Sequence, residues 1–244
     1  MSYPYGLRLA EGGVRNFAPV VNLAPIFPIN GNGLGGLPQR IYHPPMPIGT
    51  PYEGGFFAGQ ISLNGTGVAD YNLVVGPKSV AQTSAQWKTS RTATPGTDSV
   101  IDGLGNTLAM ILDSEAAHPA AAFCYNLTAG GYEDWYLPAP FEQNVIYFYM
   151  KPSAQLNAVN IIRSPQNPYS VPARPMMSQT VPTQTQVLDF RVGGLEAYDT
   201  SGYWSSRQTG AQYANFNLFN IGYIFQVTFK DNISGVRAVR RVPV

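Results

Sequence analysis

Proline spacing is the strongest constraint on this chain. Between residues 19 and 51, prolines stand at positions 19, 25, 28, 38, 44, 45, 47 and 51. Each lacks an amide donor and biases the residue before it away from helix, so this stretch is driven to extended or polyproline backbone. Residues 1–57 hold nine prolines and ten glycines but only five charged side chains, Arg8, Glu11, Arg15, Arg40 and Glu53. The same segment carries Phe17, Val20, Val21, Leu23, Ile26, Phe27, Ile29, Leu34, Leu37, Ile41 and Tyr42. An extended apolar segment cannot bury such side chains on itself. The expectation is an extended docking arm, 1–57, lying against other chains or its own domain, and a folded domain over 58–244.

Charge narrows the partners. Fifteen basic and fourteen acidic residues give a net charge of +1, which leaves no electrostatic footprint for nucleic acid or an anionic membrane. Charged residues make up 12% of the chain, about half the usual share. With 44% hydrophobic residues and 12% aromatics, global disorder is excluded. The surface is therefore expected to be uncharged and polar, or covered by neighbours. Lys230, Arg237, Arg240 and Arg241 read as solvated positions on a terminal strand. The single cysteine, Cys124, rules out an intrachain disulfide and the common cysteine zinc sites. No apolar run approaches the length of a membrane span. Met1-Ser-Tyr-Pro-Tyr-Gly6 has neither a basic nor an apolar signal region, so the expectation is no signal peptide and synthesis in a reducing cytosol.

After Tyr52 the texture becomes that of an α+β domain. Residues 57–63 and 68–75 read as strands around Asn64-Gly65, a hairpin signal. Ser99, with Asp102 three residues on, suggests a capping box before a helix whose stripe is Ile101, Leu104, Leu108, Ile111 and Leu112. A second helix starts at Pro119 and stops by Ala129-Gly130-Gly131. A third starts at Pro140 with Glu142 in its first turn, buries Phe141, Val145 and Phe148, and ends before Pro152. Residues 153–200 read as a loop-rich insertion. Strands are expected over 213–219, 223–229 and 233–242, with a turn at Asp231-Asn232.

Few residues offer chemistry. Gly31-Asn-Gly-Leu-Gly-Gly36 follows no strand and lacks the lysine of a phosphate loop. His43 and His118 are isolated, and Cys124 between Phe123 and Tyr125 reads as a packing thiol. Glu133 and Asp134 are adjacent and point apart, and Asp102, Asp113 and Glu115 lack calcium-loop spacing. No nucleophile, base and orienting group can be named together, so the reading is a non-enzymatic protein with no metal or cofactor.

Two aromatic segments and the C-terminus stand apart. Residues 130–142, Gly-Gly-Tyr-Glu-Asp-Trp-Tyr-Leu-Pro-Ala-Pro-Phe-Glu, form a dense aromatic strand entering a helix. Tyr203-Trp-Ser-Ser206 follows, then Gly235-Val-Arg-Ala-Val-Arg-Arg241. In order and spacing these resemble the Lcl C-terminal domain family, over residues 95–244, with Gln143 where that family prefers Leu. The resemblance implies a C-type-lectin-like fold related to the sulfatase-modifying enzyme fold. It also implies a place in a bacteriophage virion, as a structural protein of tail, baseplate, fibre or capsid surface, made without export and used for host attachment. The catalytic cysteines of the sulfatase-modifying branch and the calcium signatures of sugar-binding lectins have no counterpart here. Gly131, Asp134, Trp135, Leu137, Pro138, Trp204 and Arg237 are then fold-motif residues, with Arg237 expected to pair with Asp134. Ligand contacts are expected at Arg207, Gln212, Tyr213, Asn215, Asn217, Asn220 and Tyr223, because Tyr and Asn supply rigid area and adaptable hydrogen bonds. The expected partners are other virion proteins and copies of the chain through 1–57, with a host-surface glycan or protein as ligand. A dedicated receptor-binding module or a bacterial surface adhesin is the alternative.

Overall fold

A computed structural model describes residues 46–159 and 165–244. The expectations for 1–45, including the glycine run at 31–36 and His43, lie outside the described residues. What is described is a mixed α+β structure, mostly β.

Two five-stranded sheets organise it. The first contains β1 (Pro51–Tyr52), β2 (Gly55–Ile61), β3 (Tyr71–Val75), β5 (Ser170–Val171) and β10 (Val239–Pro243). Here β2 lies between β3 and the short β1 and β5, and β10 pairs antiparallel with β3. The second runs in the order β4 (Gln82–Gln86), β9 (Ile233–Arg237), β6 (Gly202–Gln208), β7 (Tyr213–Leu218), β8 (Tyr223–Phe229). All neighbours are antiparallel except β6 and β9, which meet in parallel at Tyr203 and Gly235.

The described end of the proline-rich segment belongs to the first sheet. Glu53 and Gly54, both with positive φ, form a two-residue turn between β1 and β2, the geometry that matches strand twist. The hairpin expected at Asn64-Gly65 is looser. Its strands stop at Ile61 and resume at Tyr71, closed by the Asp70 amide donating to the Ile61 carbonyl at 2.9 Å. Asp70 also accepts from the Leu63 amide at 2.7 Å, so an Asp carboxylate organises the wider loop.

The last strand is two strands. The chain leaves the second sheet after Arg237, crosses at buried Ala238, and enters the first sheet at Val239. The β3-to-β4 connection, with helix α1 (Lys78–Ala81), crosses beside it. Gly76 N donates to Ala238 O at 3.0 Å and Ala238 N donates to Ala81 O at 2.9 Å, stitching the two crossings together.

Three longer helices cover the sheets. Helix α2 (Gly103–Ser114) is capped by Asp102, which accepts from Gly105 N, while Ser99 Oγ accepts from the Asp102 amide one turn earlier. Its buried face is Asn106, Thr107 and Met110; Leu112 of the expected stripe is 86% exposed. The polar face fits because it meets polar groups: Asn106 donates to Ser206 Oγ, and Thr107 Oγ1 accepts from Leu137 N. Helix α3 (Pro119–Tyr125) starts at its proline and buries Cys124, as expected. Helix α4 (Pro140–Met150) is the central one and buries Phe141 through Tyr147, with Phe148 only half-buried. Its Val145 and Ile146 join Ala58, Leu73, Val75 and Val239 in the main core. Residues 165–200 are largely irregular, with β5 and a single 3-10 turn at Leu188–Phe190.

The basic C-terminal residues overturn their solvated reading. Lys230, Arg237 and Arg240 are all buried. Low charge therefore does not spare the interior: several of the few charges are spent inside it.

Candidate functional site

The three motif segments converge on one core. Trp135 and Leu137 from the first, Trp204 from the second, and Val236 and Ala238 from the third pack in a single cluster with Cys124 and Met110. Backbone bonds tie them further. Tyr136 and Val239 exchange a pair of hydrogen bonds at 2.8 and 3.0 Å, and Ser206 N donates to Pro138 O at 2.9 Å. Residues 130–137 are held by such isolated bridges and form no strand, in place of the expected aromatic strand. Gln143 donates to the Trp204 carbonyl at 2.8 Å, so the amide at this position is itself a tie between motifs. Glycine is required at 130: a Cβ there would stand 2.2 Å from Gly54 Cα. Gly131 follows with φ of 83°.

The arginine pairing differs from expectation. Asp134 is held by Arg240, with Nε at 2.7 Å from Oδ1 and the second nitrogen at 3.0 Å from Oδ2. Arg240 also donates to the Glu53 carbonyl at 2.8 Å and stacks 3.7 Å above the Tyr132 ring. Burial pulls this guanidinium down, but Asp134 and Glu53 outweigh it and leave its pKa above the ordinary value. Arg237 turns the other way. It donates to Gly76 O, to Gln82 and to Glu196 Oε2, so it clamps the crossing between the sheets. Arg237 ends β9 in the second sheet and Arg240 lies on β10 in the first, on opposite sides of the crossing at Ala238, so the two meet different acids.

The residues expected to contact ligand do not make a common open surface. Asn215 is buried, accepts from Arg207 at 3.1 Å and donates to Gln226 O at 3.2 Å. Arg207 also donates to Asp98 O at 3.1 Å. Asn217 is buried with neither amide atom hydrogen-bonded, and Asn220 and Tyr223 are half-buried. Only Gln212 and Tyr213 are exposed, and Tyr213 stacks on Phe229 with centroids 4.8 Å apart. Alternation along β7 hid this, since Asn215 and Asn217 lie on a buried face while Phe216 and Leu218 on the other are half-buried, so polar spacing there does not mark solvent.

A buried cationic network lies near the loop at 88–98. Lys88 Nζ donates to Asp113 at 2.9 Å and to Thr94 Oγ1 at 3.0 Å. Thr94 Oγ1 is 3.0 Å from His118 Nε2, while His118 Nδ1 lies 2.8 Å from the Ser114 carbonyl. The carbonyl requires a proton on Nδ1, so Nε2 accepts from Thr94 and the hydroxyl accepts from Lys88. Burial holds His118 below its ordinary pKa, consistent with that neutral tautomer. Lys230 donates to Thr92 O and Gln208 Oε1, and burial lowers its pKa to about 8. Cys124 is fully buried, and burial pushes its thiol well above the ordinary range. Among the described residues no group of three or more His, Cys, Asp or Glu is placed to share a metal ion, and no helix is long and apolar enough to cross a membrane.

Two features had no sequence signal. Glu196, the acid that meets Arg237, sits in the loop-rich stretch where no periodicity marks it. The other is a trough at the C-terminal end of α4. One part, of about 310 Å³, is lined by Lys151, Gln155, Gln179 and Gln184, and a second, of about 340 Å³, by Phe148, Tyr149 and Thr185. Thr183, Gln184 and Gln186 belong to both. Comparison with family models and with curated protein sequences gave no match.

Proposed function

We propose that this chain is a non-enzymatic structural protein of a bacteriophage particle, carrying a C-type-lectin-like domain of the Lcl C-terminal type. In this reading an extended N-terminal arm docks it to other virion proteins and to copies of itself. The domain is displayed on the tail, baseplate, fibre or capsid surface for host attachment. The observation that carries the proposal is the convergence of the three motif segments on one core, joined by the Asp134–Arg240 fork and the Gln143–Trp204 bond. Residues so far apart in sequence that resemble one family pattern, and that also pack together, support a shared fold.

A binding or scaffold role is supported by where the reactive residue types sit. His118 and Cys124 are buried in packing and hydrogen-bonding roles, and Lys88, Arg237 and Arg240 hold loops and crossings together. Function on this reading belongs to the surface, and fold supports it only by analogy.

The test is immunogold labelling of particles purified from the host culture, using antibody to the full chain. Regular labelling at one part of the particle is expected; the chain's absence from particles would overturn the proposal. A chain lacking residues 2–45 tests docking. That cut spares β1 and β2, and incorporation should be lost; normal incorporation would remove the docking role.

A further inference from the structure

Local spacing names no nucleophile, base and orienting group together, but the fold assembles such a set around the peptide bond between Ala93 and Thr94. Thr94 Oγ1 lies 3.0 Å from His118 Nε2, and Nδ1 of the same ring lies 2.8 Å from the Ser114 carbonyl. The carbonyl takes the Nδ1 proton, so the Nε2 lone pair faces the hydroxyl. A hydroxyl, a base and the group that fixes the base's tautomer are the parts of an activated nucleophile.

The carbonyl within reach of this hydroxyl is the one preceding it in the chain. Ala93 O accepts from Lys88 Nζ at 2.9 Å, and the same ammonium lies 3.0 Å from Thr94 Oγ1. One cation therefore spans the hydroxyl and the adjoining carbonyl oxygen, where negative charge develops when the first adds to the second's carbon. Asp113 pairs with that ammonium at 2.9 Å.

The rest of the peptide bond is gripped before any reaction. Thr94 N donates to Gln208 Oε1 at 3.0 Å, and Thr94 O accepts from Thr97 Oγ1 at 2.7 Å. Gln208 Oε1 is itself fixed by Lys230 Nζ at 2.8 Å. Holding reacting groups in one arrangement removes much of the entropic barrier. Burial separates two stages: Thr94 and His118 are fully buried, which shields the hydroxyl from water, whereas Ala93 is exposed.

We propose that the chain cleaves itself between Ala93 and Thr94. Thr94 Oγ1 adds to the Ala93 carbonyl carbon and forms a C–O bond, while its proton passes to His118 Nε2. The C–N bond between Ala93 and Thr94 then breaks, and His118 returns the proton to the leaving nitrogen, giving an ester and a free amine. One water hydrolyses the ester, leaving a carboxylate on Ala93, an ammonium on Thr94 and the Thr94 hydroxyl restored. This activity goes beyond the particle reading and is independent of it, since it is a single turnover within one chain. The two pieces stay joined in the fold, because β3 and β4, ahead of the break, pair with β10 and β9 after it.

Intact-mass spectrometry and N-terminal sequencing of the purified full chain test it. Two fragments meeting between residues 93 and 94 are expected, on purification or within about two weeks at room temperature and neutral pH. Hydroxylamine should hasten the break and leave a hydroxamate on Ala93, a product that an outside protease does not give. His118→Asn should slow the break by about 100-fold or more. Thr94→Val should stay intact. Because that change also removes bonds to Lys88 and His118, Thr94→Cys serves as the second variant: it keeps a nucleophile, and added thiol should cleave it at the same bond, which a merely structural residue 94 would not bring about. A full chain that keeps its intact mass with and without hydroxylamine, breaks only at other bonds, or a break that persists in Thr94→Val would each overturn the proposal.

Discussion

Arg237 meets Glu196 at 2.6 Å with its own side chain fully buried. The pair closes over the point where two connections cross between the sheets, and Arg237 Nε donates to the Gly76 carbonyl at 2.7 Å in the same clamp. Removing the acid strands a buried guanidinium. Glu196→Ala should therefore cost about 3–5 kcal/mol in chemical denaturation. Arg237→Met, which removes the charge together with most of its need for a partner, should cost less than Glu196→Ala. The reverse order would show that the charge pair is not what holds the crossing.

The Arg240–Asp134 fork is more exposed on its acid side, with Asp134 at 53%. Its strength comes from bidentate geometry and from the Glu53 and Tyr132 contacts around the guanidinium. A double-mutant cycle of Arg240→Met and Asp134→Ala should give a coupling of about 1 kcal/mol, above the usual surface pair. The single change Arg240→Met should cost more than Asp134→Ala, because it also frees the β1–β2 turn. A coupling indistinguishable from zero would reduce the fork to a contact without energetic weight.

Two buried groups set opposing pH dependences. Burial raises Glu142 to about 7 from an ordinary 4.5, against the pull of hydrogen bonds from Tyr136 and the Ala139 amide. Between those values the folded chain keeps a proton that the unfolded chain has lost, so stability falls as pH rises through the window, by about 3 kcal/mol at most. His118 works the other way. Its folded pKa lies below 6.5, so the unfolded chain binds the proton first and stability falls as pH drops below that value. Denaturation midpoints of Glu142→Gln should retain only the loss at low pH. Those of His118→Asn should retain only the decline toward neutrality. Identical pH profiles for both variants and the parent would refute both assignments.

Local signals were legible where a single residue's covalent nature sets the backbone. Prolines at 119 and 140 start their helices, and Cys124 packs inside as its neighbours suggested. The aromatic motifs were legible as core for a related reason, since Trp135, Leu137 and Trp204 bury too much apolar area to sit elsewhere. What misled was the assumption that polar means exposed. Asn106, Thr107 and Gln143 are buried because each finds a partner from a distant segment, and such pairings are not encoded in local spacing. The same blindness placed Arg237 opposite Asp134. The two arginines part into different sheets at the break at Ala238, which local spacing does not show.

That distinction can be measured on β7 and the turn before it. Asn215 is buried and bonded on both amide atoms, whereas Gln212 is exposed. Asn215→Ala leaves the Arg207 guanidinium and the Gln226 carbonyl each short of a partner, at about 1–3 kcal/mol. For a chain of this size that corresponds to a fall in melting temperature of roughly 2–12 °C. Gln212→Ala should stay within about 0.5 kcal/mol of the parent. If Asn215 instead served a ligand at an open surface, its removal would leave the melting temperature unchanged, and calorimetry on the two variants side by side decides between these roles.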